Sequence, residues 1–329
     1  MAIIYGKRPT LEPYRWFALP KAFQGQYITT DDYGFRVNPD VKLNKQSTKV
    51  GFFGGSTMFG VTSSSGATIS AMVGESLKPE LAQTQDFGVG AYSTSSELMT
   101  FVEVSRLKKY DIKYAVFYDG VNELGRYIEK LQDPVADAFH EVIGYPYNTS
   151  LRAAAINYID STSWEFRYKP ALVRVWEKIE PRVNRNKNIN FVLSENDIER
   201  HVEIIYRIYV NNVLDIDAIA RSRNIHALFI WQPSLFSIKG RNFTEHEKAI
   251  LKSERLTKKL SDALDARIRS STELKNIRFY DFSEKFNELS AGEHFYDYCH
   301  VGAEANRLIA RHIVEILKKA LPADYFKDK

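Results

Sequence analysis

Residues that could carry out acyl transfer occur in three short segments of the chain. Ser56 follows a pair of glycines, Asn122 stands in an Asp-Gly-Val-Asn stretch, and Asp297 and His300 lie near the C-terminus with two residues between them. A serine hydroxyl, an imidazole and a carboxylate can act as nucleophile, general base and orienting group, and a side-chain amide can donate to a developing oxyanion. Acyl transfer is therefore one function that these residue types permit.

Each segment has a simpler structural interpretation when it is taken alone. The glycines before Ser56 suit a strand-to-helix turn with a serine cap, and the Lys and the spacing of a phosphate-binding P-loop are missing. Asn122 could be a turn residue. Most isolated Asp-x-x-His pairs are surface pairs, but on one helical turn Asp297 could hold one tautomer of His300 while the other nitrogen faces outward. A catalytic role is favoured over these structural interpretations, because all three segments are expected at the same end of one sheet.

Short apolar runs alternate with longer stretches of helical periodicity from about residue 49 onward. This alternation predicts βαβ units, and hence a three-layer α/β/α sandwich with a flavodoxin-like parallel five-stranded sheet. The predicted strands are 49–53, 85–89, 114–118, 225–231 and 277–282. The predicted helices, expected on both faces of the sheet, are 69–77, 96–109, 198–221, 246–269 and 303–319.

Two regions fall outside this alternation. Residues 1–46 contain Pro, aromatic residues and a turn-like Asp-Asp-Tyr-Gly, which favours an irregular N-terminal arm packed on the core. Residues 124–190 are too long for a plain connection and indicate an insertion of a few helices near the carboxyl edge of the sheet. We expect a single domain over 47–329 that contains this insertion. Its basic amphipathic piece, 171–179, could touch a membrane surface, but packing on its own domain is favoured.

The composition is that of an ordinary folded protein. Its 329 residues are 44% hydrophobic and 26% charged, which excludes a disordered or low-complexity chain. A net charge of +4, from 45 basic and 41 acidic residues, gives no reason to expect nucleic acid as a partner. The lone Cys299 excludes an intramolecular disulfide and a cysteine-based zinc cluster.

The apolar runs fall well short of the roughly 20 residues that span a membrane. No apolar stretch or small-residue cleavage site of a signal peptide follows the basic start of the chain. As written, the sequence predicts a cytoplasmic location, and export only if an N-terminal segment is missing. The compartment and the oligomeric state otherwise stay open.

The order of these segments resembles that of the SGNH hydrolase superfamily, also called GDSL-like esterases. Ser56 lies in a Gly-Gly-Ser-Thr first block, Asn122 in the third block, and Asp-x-x-His in the last, and the resemblance covers about 49–317. Gly55 stands where the name-giving motif has Asp. That Asp is not the catalytic acid, so the resemblance implies an unchanged mechanism.

The second block of the resemblance is the segment 86–93. It aligns the family's oxyanion position on Ala91, where the family usually has Gly. A backbone N–H can still donate from Ala, although Ala tolerates fewer backbone angles. Gly90 is the alternative if the alignment is shifted by one residue.

The resemblance implies the SGNH hydrolase fold and acyl transfer through a serine. Ser56 would be the nucleophile, His300 the general base and then general acid, and Asp297 the group that orients His300. The oxyanion would accept hydrogen bonds from the backbone N–H groups of Ser56 and Ala91 and from the Asn122 side chain. This chemistry requires no metal and no organic cofactor.

The resemblance also favours a class of substrate. Many relatives remove acetyl groups from glycans, so the leading expectation is hydrolysis of an O-acetyl ester on a carbohydrate. Aromatic residues in the insertion would suit sugar rings, although core packing would explain them equally well. An O-acyltransferase acting on a glycan and a lipid esterase or thioesterase stay open, with a non-enzymatic binding protein less favoured, since fold and triad do not select a substrate.

Three further residues are candidates because of their positions. Trp231, at the end of the fourth predicted strand, could shape a pocket wall or could simply end a strand before proline. His294, six residues before His300, could line the same pocket, whereas surface or packing roles are expected for the other histidines. Cys299 is expected to be a buried thiol, because side chains adjacent in sequence usually point apart and would not form a catalytic Cys–His pair.

Overall fold

Five parallel strands form the sheet at the centre of the protein. The computed structural model describes residues 18–38, 44, 46–132 and 193–327. The strands are β1 (Thr48–Gly54), β2 (Ala82–Asp86), β3 (Ile112–Asp119), β4 (His226–Trp231) and β5 (Phe279–Asp281). They lie in the order β2-β1-β3-β4-β5, and every neighbouring pair is parallel. The predicted five-stranded parallel sheet is thus confirmed.

Helices cover both faces of this sheet. They are α1 (Ser56–Phe59), α2 (Ile69–Glu75), α3 (Thr94–Val104), α4 (Val121–Gln132), α5 (Glu195–Ser222), α6 (Glu245–Ser253), α7 (Arg255–Arg269) and α8 (Ala303–Ala320). One apolar core contains residues of α3, α5 and α7, and a second core, on the other face, contains residues of α2 and α8. This arrangement confirms the predicted α/β/α layers.

The two cores follow from the alternation of side chains along each strand. In β1, Phe53 belongs to the core under α3 and α5, while its neighbour Phe52 belongs to the core under α2 and α8. Phe117 of β3 stacks on Phe53 with ring centroids 4.8 Å apart and on Phe229 of β4 at 5.2 Å. This aromatic row fixes the register of the three central strands below the candidate site.

The second strand differs from its predicted position. It occupies Ala82–Asp86 instead of 85–89, and all of its residues are buried although most are polar. The apolar run that indicated a strand therefore lies mostly beyond it. Beyond the strand, the backbone N–H groups of Phe87 and Val89 still donate to the backbone oxygens of Phe52 and Gly54 at 2.7 and 3.0 Å, while Oδ1 of Asp86 accepts from the N–H of Gly88 at 2.8 Å.

Two predicted helices also have different bounds. The stretch 246–269 is two helices, α6 and α7, because Glu254 between them has φ −101° and ψ 35°, outside the helical range. The helix predicted to end at residue 109 ends at Val104. There the hydroxyl of Ser105 donates to the backbone oxygen of Phe101 at 2.5 Å, a local hydrogen bond that competes with helix continuation.

The described part of the N-terminal arm, 18–38, packs against the end of α1. Arg36 is fully buried, and its Nη1 donates to the backbone oxygens of Phe59 and Gly60 at 2.5 and 3.0 Å. A cation near the last carbonyls of a helix is favourable, since these carbonyls have no partner within the helix. The arm thereby stabilises the segment that follows β1.

Most of the predicted insertion falls outside the residues that the structure describes. Residues 124–132 of the predicted insertion belong to α4, and the rest of it up to 190, including 171–179, lies outside the described residues. The division into an arm and a single domain stays a prediction. Among the helices described, none is long and apolar enough to span a membrane.

Candidate active site

Ser56 begins α1 directly after β1, at the carboxyl end of the sheet. Its side chain is only 7% exposed. The residue before it must be Gly, because a Cβ on Gly55 would lie 1.9 Å from Nδ2 of Asn122. The short helix ends at Gly60, whose φ of 70° is the left-handed conformation that glycine adopts without strain. The turn after β1 therefore brings Ser56 and Asn122 together.

The hydroxyl of Ser56 is joined to the candidate imidazole and carboxylate by two short hydrogen bonds. Oγ of Ser56 lies 2.7 Å from Nε2 of His300, and Nδ1 of His300 lies 2.6 Å from Oδ2 of Asp297. With a proton on Nδ1, the imidazole donates to Asp297 and leaves Nε2 free to accept from the serine. This order of groups can remove the hydroxyl proton as the oxygen attacks an electrophile.

Asp297 and His300 are placed by a turn and not by the helical turn that their spacing suggested. Oδ1 of Asp297 accepts hydrogen bonds from the backbone N–H groups of Cys299 and His300 at 2.9 and 2.7 Å. Phe295 and Val301 pair as an antiparallel bridge on either side of this turn, before α8 begins. The Asp297 carboxylate thus folds its own turn with one oxygen and faces His300 with the other.

The carboxylate of Asp297 keeps its negative charge despite its surroundings. Partial burial raises its pKa, but the hydrogen bond and the charge of His300 and the two backbone N–H groups lower it by more, to about 2. At neutral pH the group is therefore an acceptor toward His300. A permanent carboxylate at this place favours an imidazolium that forms during proton transfer.

Asn122 lies in the first turn of α4, after β3. Its Nδ2 donates to the backbone oxygen of Tyr92 at 2.6 Å. The adjacent Glu123 accepts hydrogen bonds from the backbone N–H groups of Thr94 and Gly120, at 2.6 and 3.2 Å. These contacts tie the loop after β2 to the loop after β3, so the Asn122 amide is held next to the serine turn.

The two alternative oxyanion residues of the second block lie in the loop that follows β2. Ala91 has φ 69°, in the left-handed region where an alanine is strained. Gly90 precedes it and Tyr92, which accepts from Asn122, follows it. The loop thus comes to the serine turn, and the choice between the Ala91 and Gly90 N–H groups stays a prediction.

Trp231 and His294 each form hydrogen bonds or polar contacts with other residues of the protein. Trp231 is buried at the end of β4, and its indole N–H donates to Oδ1 of Asp265 at 2.8 Å. His294 is also buried, with Nε2 3.0 Å from the backbone oxygen of Ser290 and Nδ1 3.6 Å from Glu304. Trp231 also lines a small pocket, whereas the contacts of His294 join its ring to Ser290 and to the first turn of α8. Substrate binding by either residue stays a prediction.

Cys299 is buried, as expected, but its side chain does not point away from His300. Its Sγ lies 3.6 Å from Nδ1 of His300. Burial, with the charge of Asp297 next, raises the pKa of the thiol well above its usual range. A group of this kind stays protonated at neutral pH, so it is a poor nucleophile.

One group of possible metal ligands is found among the described residues. The ligand atoms of Asp297, Cys299 and His300 lie within 4.8 Å of one another. Metal binding would require a thiolate, and the raised pKa of Cys299 opposes it. The carboxylate and the imidazole are moreover bonded to each other at 2.6 Å. These three residues therefore fit the hydrogen-bonded arrangement better than a metal centre.

Sequence reasoning missed two polar features behind the site. Oγ1 of Thr57, next to Ser56, lies 3.1 Å from Oε1 of Gln232. Gln232 directly follows Trp231, but its partner comes from a distant part of the sequence. The sequence contained no signal for this contact.

The second missed feature is a buried group of carboxyls behind Asn122. Burial raises the pKa of Glu97 and Asp119 well above the usual range, and the charge of Asp119 adds to the effect at Glu97. None of the four oxygens of these two carboxyls has a hydrogen-bond partner among the described residues. The phenol of Tyr209 is buried beside them, and their charges raise its pKa further.

Comparisons with known proteins add the following. No protein-family model and no curated protein matches the chain. Among solved structures, the chain is similar to a catalytic mutant of an acetylxylan esterase from Geobacillus stearothermophilus, with 11% identity, a TM-score of 0.44 and coverage of 87% of this chain and 100% of that one. It is also similar to a GDSL-like lipase from Bacteroides thetaiotaomicron, with 10% identity, a TM-score of 0.41 and coverage of 85% and 92%. An acetyl xylan esterase shares 12% identity at a TM-score of 0.40, with coverage of 82% and 99%.

Proposed function

We propose that the chain is a serine esterase that hydrolyses a carboxylic ester. The observation on which this rests is the continuous set of hydrogen bonds from Oγ of Ser56 through His300 to Asp297, with lengths of 2.7 and 2.6 Å. The motif order that resembles the SGNH hydrolases supports the same roles. A binding protein would have no need of a serine, an imidazole and a carboxylate in this order.

Acylation begins with attack of Oγ of Ser56 on the carbonyl carbon of the ester. The hydroxyl proton moves to Nε2 of His300, and Asp297 stabilises the resulting imidazolium. The tetrahedral intermediate collapses when the bond to the alcohol oxygen breaks, and that oxygen takes the proton from Nε2. An acyl group is then bound to Ser56 and the free alcohol leaves.

Deacylation repeats these proton transfers with water. The water oxygen attacks the acyl carbon while one of its protons moves to Nε2 of His300. The bond between the acyl carbon and Oγ of Ser56 then breaks, and Oγ regains its proton from His300. The products are a carboxylic acid and the original enzyme, so the reaction is balanced without a cofactor.

The oxyanion formed in both steps needs donors at the serine turn. The side-chain amide of Asn122, which donates to Tyr92 in the free protein, is one, and the backbone N–H of Ser56 is another. The third is the N–H of Ala91, or of Gly90. Loss of one such donor lowers the rate by about 10² to 10³ in enzymes of this kind.

We propose an O-acetyl group on a carbohydrate as the substrate. The support is the resemblance to a superfamily in which many members deacetylate glycans, together with the aromatic content of the 124–190 segment of the sequence. The same residues could transfer the acyl group to a glycan hydroxyl instead of water. Product analysis with an added sugar acceptor separates these two reactions.

The test uses a fluorophosphonate, which forms a covalent adduct with an activated serine. Intact mass is measured for wild type, Ser56→Ala and His300→Ala, followed by p-nitrophenyl acetate turnover. Ser65→Ala is the matched control, because the Ser65 hydroxyl donates to the backbone oxygen of Tyr27 and not to an imidazole. We expect one adduct on wild type and on the control, none on Ser56→Ala, and loss of turnover in both site variants.

Three results would contradict this proposal or a part of it. A folded wild-type protein that forms no adduct and turns over no ester would contradict the esterase proposal. An adduct that persists in Ser56→Ala would place the reactive serine elsewhere. Turnover of p-nitrophenyl acetate with no release of acetate from acetylated glycans would retain the esterase and reject the carbohydrate substrate.

A further inference from the structure

A buried amide group lies behind the candidate nucleophile. Gln232 follows β4 and is 6% exposed. Its backbone N–H donates to the backbone oxygen of Asp119 at 2.7 Å, and its Oε1 accepts from Oγ1 of Thr57 at 3.1 Å. Nε2 is buried and has no hydrogen-bond partner among the described residues. One half of the amide is thus anchored at the serine turn, while the other half has an unused donor.

Gln232 lines a pocket that has three sides linked to the candidate site through neighbouring residues. Val121, in the pocket wall, precedes Asn122, and Tyr298 lies between Asp297 and His300 in sequence. The third side is Gln232 itself, which contacts the neighbour of Ser56. The remaining walls are mostly apolar and include Trp231 and Phe236, whose ring stacks on Tyr298 at 5.2 Å. Gln232 thus connects the pocket wall to Thr57, the residue that follows Ser56.

Two other polar residues in the pocket wall have hydrogen-bond partners. Oδ1 of Asp265 accepts from the indole of Trp231 at 2.8 Å, and Oγ of Ser234 accepts from the backbone N–H of Phe236 at 3.3 Å. Of the side chains that line the pocket in the described part of the chain, Gln232 is the one with a buried polar atom that lacks a partner. Buried amides in proteins are normally hydrogen-bonded, since an unmet donor is costly.

We propose that Gln232 is a specificity-determining residue that donates a hydrogen bond from Nε2 to a substrate oxygen close to the scissile ester. The inference rests on the proposed esterase function and adds a requirement on its substrate. The pocket has room for about one water-sized group. The recognised group is therefore small, such as an ether or hydroxyl oxygen on a short substituent.

The effect on specificity follows from the burial of the amide. A substrate that brings an oxygen to Nε2 satisfies the donor, whereas a substrate with a methylene at that place leaves it unmet. Sites with buried polar groups of this kind discriminate strongly against analogues that lack the partner atom. Thr57 keeps the amide in orientation, because it occupies Oε1 and leaves Nε2 without a partner among the described residues.

Two pairs of esters test this inference, and each pair differs by an oxygen in place of a methylene. p-Nitrophenyl methoxyacetate and butyrate place the difference on the acyl side. 2-Methoxyethyl acetate and butyl acetate place it on the alcohol side. The ratio of kcat/KM within each pair is measured for wild type, Gln232→Met and Gln232→Glu. Comparison of ratios between enzymes cancels the intrinsic reactivity of each ester.

We expect wild type to prefer the oxygen-containing ester in one pair, and this preference should fall by about 10-fold or more in Gln232→Met. The pair that responds identifies whether Gln232 contacts the acyl side or the alcohol side of the ester. Gln232→Glu retains an oxygen for Thr57 but loses the N–H₂ group, so it should lose the preference as well. Thr57→Val leaves Nε2 in place without its anchor and should reduce the preference by less.

Three outcomes would overturn the inference. In the first, the ratios of both pairs are the same in wild type and in Gln232→Met. In the second, Gln232→Met lowers kcat equally for all four esters, as expected if Gln232 only supports the fold. Retention of the preference in Gln232→Glu would show that the N–H₂ group is not the donor. Fluorophosphonate labelling separates these results from failure of the esterase proposal, because an active wild type is labelled in each case.

Discussion

Carboxyl groups occupy two places near the carboxyl end of the sheet, and their pKa values are shifted in opposite directions. Asp297 has a side chain that is 46% exposed, and its contacts with His300 lower its pKa to about 2. Glu97 and Asp119 are 1% and 3% exposed, and burial raises the pKa of both well above the usual range. The same functional group thus has a lowered pKa in one region and a raised pKa in the other.

The difference shows what decides the charge of a carboxyl in this protein. Asp297 is surrounded by N–H donors and by an imidazole that can become cationic, whereas Glu97 faces another carboxyl in a dry interior. The pH dependence of stability follows with opposite signs. Asp297 stabilises the fold above its unfolded pKa of about 3.9, and this contribution is lost as the pH falls toward 2. Glu97 makes the fold less stable as the pH rises above about 4.3.

The largest effect is expected when the charged carboxylate is neutralised. In Asp297→Asn the amide can donate to Nδ1 of His300, which leaves the proton on Nε2 and removes the base that Ser56 needs. We expect kcat for p-nitrophenyl acetate to fall by about 10⁴. Glu293→Gln, an exposed change in the same segment, is the control. An Asp297→Asn rate within tenfold of wild type would mean that a charged Asp297 is not needed.

The second prediction concerns the buried carboxyls of Glu97 and Asp119. In Glu97→Gln the side chain cannot titrate. In wild type, the free energy of unfolding should fall with rising pH relative to this variant, by at most about 1.4 kcal/mol per pH unit. Urea unfolding at pH 5, 6, 7 and 8 measures the difference, and the exposed Glu75→Gln serves as control. Parallel pH curves for wild type and Glu97→Gln would contradict a raised pKa at Glu97.

The arrangement of Ser56, His300 and Asp297 was predictable from the sequence to a greater extent than the buried pair of Glu97 and Asp119. Asp297 and His300 are close in sequence, and the strand-to-helix position of Ser56 could be read from its glycines and the apolar run before it. The structure places these three residues in contact. The Asp297 turn was wrongly predicted to be helical, because spacing alone does not reveal an Asp that accepts hydrogen bonds from its own turn. The predicted chemical roles remain proposals.

The buried features were not predictable, because they depend on contacts between distant residues. The β2 strand is polar yet buried, so hydrophobicity placed it too far along the chain. Glu97 and Asp119 look like ordinary surface residues in the sequence, and only the packing of α3 against the sheet excludes water from them. The Gln232–Thr57 contact likewise joins two segments whose pairing no local pattern indicates.

The third prediction links the two regions through Glu123. Its carboxylate accepts from the backbone N–H groups of Thr94 and Gly120 and so connects the loops next to Asn122. Glu123→Gln retains one acceptor oxygen and turns the other into a donor that faces an N–H group. We expect the free energy of unfolding to fall by about 2 kcal/mol, since a buried donor loses its partner.

Turnover distinguishes a structural role of Glu123 from a role in positioning Asn122. The loops that Glu123 joins hold the Asn122 amide, so kcat should fall while KM for p-nitrophenyl acetate changes little. Glu293→Gln is again the exposed control. An unfolding free energy equal to that of wild type would show that these two backbone hydrogen bonds contribute little to stability.

The smallest effect is expected at Ala91, which lies in the loop between the two regions. Its φ of 69° costs an alanine about 1 kcal/mol, and Gly would relieve this strain. Gly also gains about 0.5–1 kcal/mol of conformational freedom in the unfolded chain, which offsets most of the relief. Ala91→Gly should therefore change the free energy of unfolding by less than about 1 kcal/mol. Ala91→Val should destabilise by more, because a β-branched residue fits the left-handed region worst, and equal stability of the Gly and Val variants would contradict a strained backbone at this position.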